Sequence, residues 1–559
     1  MRPTTTKSTM EMAMQKRFIL VAGGALLVGV AACVDLNEDV IAGITPGSYG
    51  TQPVFEGMVN GAYSGLREFY AQERGFTVTE FGTDIYTKGS DGSHKYINES
   101  TSQLNAGDSY FRENWDFLYR GINNANSAID QAPRAQMDTT LRAQRVGEAK
   151  FLRALYYFDL VQMYGAVPLS LHETTAPSTV ATRAPVDSVY DAITRDLLDA
   201  EAVLPATQIK DYGRATRGAA QHLLAKVYLT RPRGADSLSN ETAKKAAGDF
   251  ANAAVYAQKV INSGLYSLLP RFADVFDFRN ERNKEVVWSI QYTADPLTTG
   301  NGNQGHLFFL MEYDAQPGMM RDIANGRPYK RFRPTTYYLN MFDRTKDSRY
   351  DAQFTRVWYA NNAATIPKDA NGVPKYKVGD TAIVVLASNA DTLQYIGKPY
   401  LVIPPKKYTS KLFPSLNKFM DPNRSSVNET RGSRDFIVMR LAETYLIAAE
   451  ALLRDGRAAE GLPYINAVRT RAAIPGQEAA MQLTLAQFTL TELLDERARE
   501  LAGEMMRWFD LTRTWTLLYR GKLGNSDMKP NVQQFHMLRP IPTTQIDRTS
   551  IPFPQNPGY

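Results

Sequence analysis

The sequence predicts a mostly α-helical fold of stacked helical hairpins, interrupted by a loop-rich excursion of mixed α/β structure. Three observations lead to this prediction. Apolar residues recur at helical spacing in successive segments of residues 51–265, with short breaks between them. Alternating, strand-like runs and glycine-rich turns replace this pattern in residues 266–435. Helical spacing returns in residues 436–559, so two helical parts flank one variable region.

The clearest helix covers Leu141–Tyr164, and the other helices are predicted to stack around it. Gly165 follows at the position of a helix cap, and Pro168 prevents continuation. The apolar stripe is wide and aromatic, which is typical of a helix packed on more than one side. Its residues are Phe151, Leu152, Ala154, Leu155, Tyr156, Tyr157, Phe158, Met163 and Tyr164.

Further helices are predicted on both sides of this one. Alanine-rich faces such as Gly218–Ala220 allow close approach of neighbouring helices, and large residues such as Tyr228 fill the gaps between them. Tetratricopeptide-like hairpins stack in this way, although no strict sequence repeat is present here. The predicted helices are Pro53–Tyr70, Phe111–Ala132, Val186–Leu204, Thr216–Thr230 and Ala246–Ser263.

The excursion and the C-terminal part contain both element types. Strands are predicted at Lys284–Tyr292, Phe354–Tyr359 and Ile383–Leu386, because apolar and β-branched residues dominate these short runs. Helices are predicted at Phe436–Leu453, Ala458–Ala472 and Thr491–Arg513. Charged residues three and four apart in the last segment are predicted to pair along a solvated face.

The N-terminus predicts export and a lipid anchor. Residues 1–32 combine Lys16 and Arg17 with an uncharged apolar run of signal-peptide length, and Met14 is an alternative start. Cys33, the only cysteine, follows small residues directly, as in a bacterial lipoprotein signal whose cysteine is lipidated. Residues 33–50 would then be a tether. The alternative is a single membrane span with an incidental cysteine.

The charge of the chain excludes a nucleic-acid partner as the main function. The 559 residues carry a formal net charge of +6, and four basic residues against one acidic residue lie in the first 32. Half of the excess therefore belongs to the predicted signal peptide. The remaining charge is too small to attract nucleic acid.

Several segments, spread in order over the predicted mature chain, resemble the SusD/RagB family of outer-membrane nutrient-binding lipoproteins. They are Arg153–Leu169, Arg440–Ala451, Glu496–Arg513, Arg539–Pro542 and Gln555–Tyr559. The resemblance implies a tetratricopeptide-like scaffold and a variable loop-rich face that binds an oligosaccharide or another nutrient. It also implies a partner, a SusC-like TonB-dependent outer-membrane transporter. Residues 51–265 and 436–559 would be the family's two helical parts.

The ligand site is predicted in two loop regions that combine aromatic rings with polar groups. Sugars stack on flat aromatic faces while polar side chains bind their hydroxyls. The first region, residues 84–98, is the better candidate, because its glycines indicate an exposed loop where tyrosines would have little core to fill. The second contains His306, Phe308 and Phe309. The candidate ligand-binding residues are Asp84, Tyr86, Asp91, His94, Tyr96, Tyr292 and Tyr313.

No catalytic residues, metal ligands or cofactor are predicted. The five histidines are scattered, and no nucleophile elbow or phosphate-binding loop occurs. Glu496, Glu500 and Glu504 could be taken for catalytic carboxylates, but ion pairs with arginines are the preferred interpretation. Two alternatives stay open: a lipid-anchored helical scaffold that binds only a protein, and a glycoside hydrolase, which would need separated carboxylates in an open cleft.

Overall fold

Helices follow one another through the first half of the chain and pack side by side. The computed structural model of the protein describes residues 50–207, 210–231 and 248–559. Its first elements are α1 (Gln52–Gly65), α2 (Glu73–Glu80), β1 (Tyr86–Lys88), α3 (Lys95–Glu99), α4 (Ser109–Gln131), α5 (Thr139–Tyr164), α6 (Val186–Val203), α7 (Arg217–Thr230) and α8 (Asp249–Ile261). α1 packs on α4, and each helix from α4 to α7 packs on its successor. The predicted stack of hairpins is confirmed.

α5 lies in the middle of this stack, as its wide apolar stripe predicted. Nearly every side chain from Gly147 to Tyr164 is buried. The Asp138 carboxylate caps the N-terminus by accepting the Leu141 N–H at 2.8 Å, and Gly165 ends the helix with a φ of 72°. Burial on several sides thus explains why aromatic residues surround the helix.

The excursion consists of short helices and strands that form four small sheets. β1 pairs with β3, β2 with β9 and β4 with β8, all antiparallel, while β5, β6 and β7 form a mixed sheet. The elements are β2 (Val286–Ile290), α9 (Gly305–Phe308), β3 (Phe332–Pro334), α10 (Thr336–Leu339), α11 (Arg349–Gln353), β4 (Phe354–Thr355), β5 (Val357–Tyr359), β6 (Thr381–Val385), β7 (Leu401–Ile403), β8 (Ser415–Leu416) and β9 (Phe436–Arg440).

The C-terminal part completes the helical stack. α12 packs on α8, so the excursion leaves and rejoins the same array, and α13 packs on α12. The remaining helices are α12 (Leu441–Arg454), α13 (Ala458–Arg471), α14 (Glu478–Met481), α15 (Leu490–Leu501), α16 (Arg507–Arg513), α17 (Leu517–Gly524) and α18 (Thr543–Arg548). Residues Thr51–Tyr559 form one compact unit. The predicted boundaries at residues 265 and 435 stay predictions.

Two helix predictions in this part are wrong, one at its start and one in its middle. The helix predicted from Phe436 begins only at Leu441, because Phe436–Arg440 pairs with β2 as β9. The helix predicted over Thr491–Arg513 is two helices, α15 and α16. Gly503 and Met505 between them have φ values of 78° and 61°, which an α-helix does not accommodate.

The predicted solvated face of Thr491–Arg513 is also wrong, because its acidic residues are buried in an ion-pair cluster. Glu496 and Glu500 are 0 % exposed, and so is Arg440 of β9. We name as the buried ion cluster the residues Glu285, Arg349, Arg440, Glu496, Glu500 and Glu504. Arg440 donates to Glu285 at 3.0 Å, to Glu500 at 2.6 Å and to Glu504 at 2.7 Å, and Arg349 bridges Glu496 and Glu500.

The predicted signal peptide, the lipidation site at Cys33 and almost all of the tether lie outside the described residues. They stay predictions. None of the helices in the described ranges combines the length and the apolar character needed to cross a membrane.

Candidate functional site

A two-stranded ribbon brings the two predicted loop regions together. β1 and β3 pair antiparallel, with Thr87 opposite Arg333 and Lys88 opposite Phe332. The pairing continues into the first loop, where the Gly89 N–H donates to the Arg331 carbonyl at 2.8 Å. A Cβ on Gly89 would lie 2.0 Å from the Lys330 carbonyl oxygen, so only glycine permits this approach. Residues 88–96 therefore lie beside residues 329–333.

Partly exposed rings collect where the ribbon ends. The rings of His94 and Tyr110 stack with centroids 3.5 Å apart and planes inclined by 13°, and Tyr96 lies 5.6 Å from His94. The Arg331 guanidinium lies 5.4 Å from the ring of Tyr329 and 3.1 Å from the Glu73 carboxylate. We name these residues, His94, Tyr96, Tyr110, Tyr329 and Arg331, the ring surface. It offers both π faces and hydrogen-bonding groups.

The imidazole of the ring surface is a neutral group near pH 7. Burial against its neighbours lowers the pKa of His94 from its ordinary value of 6.5, against the opposing pull of Asp108 and Glu73. Both of its nitrogens have serine partners, since Nδ1 lies 2.9 Å from the Ser93 hydroxyl and Nε2 lies 3.4 Å from the Ser109 hydroxyl. The imidazole therefore contributes to the surface mainly as an uncharged ring. Stacked rings next to hydrogen-bonding groups suit a ligand with apolar faces and polar edges.

Of the residues predicted for the ligand site, three lie on the accessible loop. His94 and Tyr96 belong to the ring surface, and the Tyr96 hydroxyl donates to Asp108, which caps α4. Asp91 is exposed and lies 3.3 Å from Lys330. Their ligand contacts stay predictions, now supported by their position beside the ring surface.

The premise that Asp84 and Tyr86 lie on an exposed loop is wrong. Asp84 is 0 % exposed, and its carboxylate binds Arg507 of α16 at 2.6 Å and Arg520 of α17 at 2.9 Å. Tyr86 is also 0 % exposed and packs against Phe309, with ring centroids 5.2 Å apart. The strand β1 turns these side chains into the core, so they connect the ribbon to the scaffold.

The two tyrosines predicted in the second region are buried as well. The Tyr292 hydroxyl donates to the Tyr70 carbonyl at 2.6 Å, and that of Tyr313 donates to the Gly326 carbonyl at 2.6 Å. Their exposed fractions are 8 % and 1 %. Neither ring is presented to solvent, since each fills a gap between loops.

Sequence reasoning missed Tyr110, Tyr329 and Arg331. Tyr329 and Arg331 lie in a short run rich in basic and aromatic residues, Arg327–Arg333, and this composition was an available signal. Tyr110 gave no such signal, because it looks like an ordinary residue of the first turn of α4.

Two other cavities are less suitable for a sugar-like ligand. A groove of about 550 Å³ beside α4 contains Trp115 and Tyr119. However, Trp115 is 3 % exposed, and the Tyr119 hydroxyl is bound to the Pro168 carbonyl. An internal cavity at Asp159 measures about 50 Å³, far below the several hundred Å³ typical of a ligand pocket.

The carboxylates considered for catalysis are held in ion pairs. Burial alone would raise the pKa of Glu500, but Arg471, Arg440 and Arg349 outweigh it and lower the pKa to about 2. A carboxylate that is ionised, paired and buried does not act as a general acid. In the described part of the chain, no group of three or more His, Cys, Asp or Glu could hold a metal ion.

Comparison with known proteins gives consistent matches along the chain. The model of the SusD family matches residues 284–559, and a model described as starch-binding and associating with the outer membrane matches residues 50–229. A curated relative, SusD-like protein P2 of Formosa agariphila, is 26 % identical, and the match covers 96 % of this chain and 98 % of that protein.

Solved structures of similar fold are described as glycan-binding. A laminarin-binding SusD-like protein has a TM-score of 0.70 at 23 % identity, and the match covers 91 % of this chain and all of that one. Surface glycan-binding protein A from Bacteroides thetaiotaomicron, in complex with laminarihexaose, has a TM-score of 0.66 at 19 % identity. That match covers 90 % of this chain and 99 % of the other. The helical stack and its excursion are thus a known fold.

Proposed function

The chain belongs to the SusD/RagB family, and on this premise we propose that it is a cell-surface protein that binds a glycan without cleaving it. The ring surface is the observation that carries the proposal. It combines partly exposed aromatic rings with an imidazole and a guanidinium at the tip of a ribbon that is held by buried ion pairs. The glycan-binding descriptions of the relatives support this assignment.

We further propose that lipidated Cys33 anchors the protein in the outer membrane and that the bound glycan passes to a SusC-like TonB-dependent transporter. The apolar run before Cys33 supports the anchor, and the family supports the transporter. Affinity purification from detergent-solubilised outer membranes is expected to recover a transporter with the protein. If another protein is recovered and no glycan binds, the helical-scaffold alternative is favoured.

Replacing Tyr110 or Tyr329 with alanine is expected to weaken glycan binding about tenfold, or ~1.4 kcal/mol, because each ring supplies part of the stacking surface. Affinity electrophoresis over a polysaccharide panel, including laminarin and starch, identifies the ligand. Calorimetry with the matching oligosaccharide then gives the affinity of each variant.

A stacked tyrosine pair on the helical stack provides the control. The rings of Tyr228 and Tyr256 lie 5.7 Å apart with planes inclined by 12°. Tyr256→Ala removes a comparable ring and is expected to leave the affinity unchanged. Equal losses in Tyr110→Ala and Tyr256→Ala would contradict the assignment of the ring surface. Release of reducing ends from the bound polysaccharide would favour the hydrolase alternative.

A further inference from the structure

A second cavity, of about 360 Å³, opens on the outward side of the same β1–β3 ribbon. Arg333 of β3 and Lys522 of α17 line it, together with Lys529 from the loop after α17. The lining also includes the hydroxyl residues Thr336 and Ser526 and the ring of Tyr337. The cavity is therefore a polar pocket whose charged lining residues are all basic. We name it the basic pocket.

The three cations of the basic pocket lack acidic partners. Among the described residues, none of Arg333, Lys522 and Lys529 lies within 4 Å of a carboxylate oxygen. The negative charge of Asp527 favours the charged form of Arg333. The Asp527 carboxylate itself accepts a hydrogen bond from the Thr87 hydroxyl at 2.6 Å. Asp84 and Asp495 are bound to Arg520, which belongs to the same helix as Lys522.

The guanidinium of Arg333 also carries an unused donor. Its Nε is buried and has no hydrogen-bond partner within the described structure. A buried donor without an acceptor is destabilising, whereas the guanidinium groups of Arg507 and Arg520 both bind Asp84. An anionic group in the pocket would accept from Arg333 and be flanked by two lysines.

The ribbon places this pocket next to the ring surface. Arg331 directly precedes β3, and its carbonyl still accepts the Gly89 N–H in continuation of the ribbon. In such an extended run the side chains of Arg331 and Arg333 leave on the same face, roughly 7 Å apart. Phe332 between them is 0 % exposed and points into the core. A single extended ligand can therefore contact both regions.

We propose that the basic pocket binds an acidic substituent, a sulfate ester or a carboxylate, of the glycan whose sugar rings lie on the ring surface. This inference rests on the proposed function and adds the chemical class of the ligand to it. The guanidinium binds two anion oxygens side by side, the lysines neutralise the charge, and the hydroxyls of Thr336 and Ser526 donate to the remaining oxygens.

The test compares oligosaccharides that differ only in their acidic groups. Calorimetry uses a sulfated galactan oligosaccharide, its desulfated counterpart, an oligogalacturonate and its methyl ester, and inorganic sulfate alone. The wild-type protein is expected to bind the sulfated or the carboxylated member of a pair at least tenfold more tightly than its neutral counterpart. Arg333→Gln combined with Lys522→Gln is expected to abolish this preference and to leave the affinity for the neutral counterpart within twofold.

Two controls separate the pocket from general charge and from folding. Lys284→Gln removes an exposed cation outside the pocket and is expected to keep the preference. Arg333→Lys keeps the charge but lacks the planar guanidinium, and it is expected to keep part of the preference for the acidic oligosaccharide. Unchanged thermal unfolding of each variant shows that the fold is intact.

The outcomes distinguish this inference from the proposed function. Binding of neutral glycans without any preference for the acidic ones overturns the inference alone, as does a preference that survives in the double variant. Binding of inorganic sulfate as tightly as of the sulfated oligosaccharide also overturns it, because the pocket would then bind a free anion. Binding of no member of either panel overturns the proposed function itself.

Discussion

Replacing Arg440 with methionine is expected to lower the free energy of unfolding by about 3–5 kcal/mol. Arg440 is fully buried and donates to Glu285, Glu500 and Glu504, so its loss leaves three carboxylates without their shared cation. Buried carboxylates that lose a partner pay the cost of desolvation without compensation. Urea denaturation followed by circular dichroism measures the change.

An exposed arginine provides the comparison. The side chain of Arg457 is 43 % exposed and pairs with Glu460, and Arg457→Met is expected to change the free energy of unfolding far less than Arg440→Met does. If Arg440→Met costs no more than this, water or a shifted lysine must replace the guanidinium, and the buried ion cluster does not stabilise the fold as described.

The second large effect is expected for Asp84→Ala, which should also cost about 3–5 kcal/mol. Burial alone would raise the pKa of Asp84, but Arg507 and Arg520 outweigh it and hold the pKa below its ordinary value of 3.8. The carboxylate is therefore ionised and connects β1 to α16 and α17. Thermal and urea unfolding measure the loss, and calorimetry with the identified glycan measures the affinity of the protein that remains folded.

Asp91 supplies the matched control, since it is an aspartate of the same region that is exposed. Asp91→Ala is expected to change stability by less than about 1 kcal/mol. Asp84→Ala, in contrast, is expected to lose stability while the folded fraction keeps its glycan affinity. A stable Asp84→Ala protein with weakened binding would show that Asp84 contacts the ligand after all.

Much of the helical scaffold could be predicted from the sequence, because amphipathic periodicity is a local property. The helix α5 and its neighbours follow directly from apolar spacing. The error at Phe436–Arg440 has a local cause too, since a short apolar run before a helix has the same composition as the helix. Only its pairing with Val286–Ile290, far away in the chain, makes it a strand.

The charged residues were harder to place, because a charged residue is usually exposed and nothing local indicates otherwise. Glu500 is buried because Arg349, Arg440 and Arg471 approach it from other elements. For the same reason, the sequence alone predicts Asp84 on an exposed loop. Its partners lie more than 400 positions later in the chain.

The ring surface could be predicted only in part. His94 and Tyr96 were found because they lie in a polar, glycine-containing loop. Tyr329 and Arg331 lie near them because β3 pairs with β1. This pairing joins two segments that are far apart in the sequence, so local composition does not reveal it. Local composition therefore indicated one side of the surface and not the other.

The alternation of side chains along Arg331–Arg333 has an evolutionary consequence. Phe332 is locked in the interior, whereas Arg331 and Arg333 on either side of it face outwards. Mutations at the outward positions alter the chemistry presented to the environment and leave the internal anchoring intact. Duplicated copies of such a gene can thus come to bind different ligands while they keep the same buried scaffold.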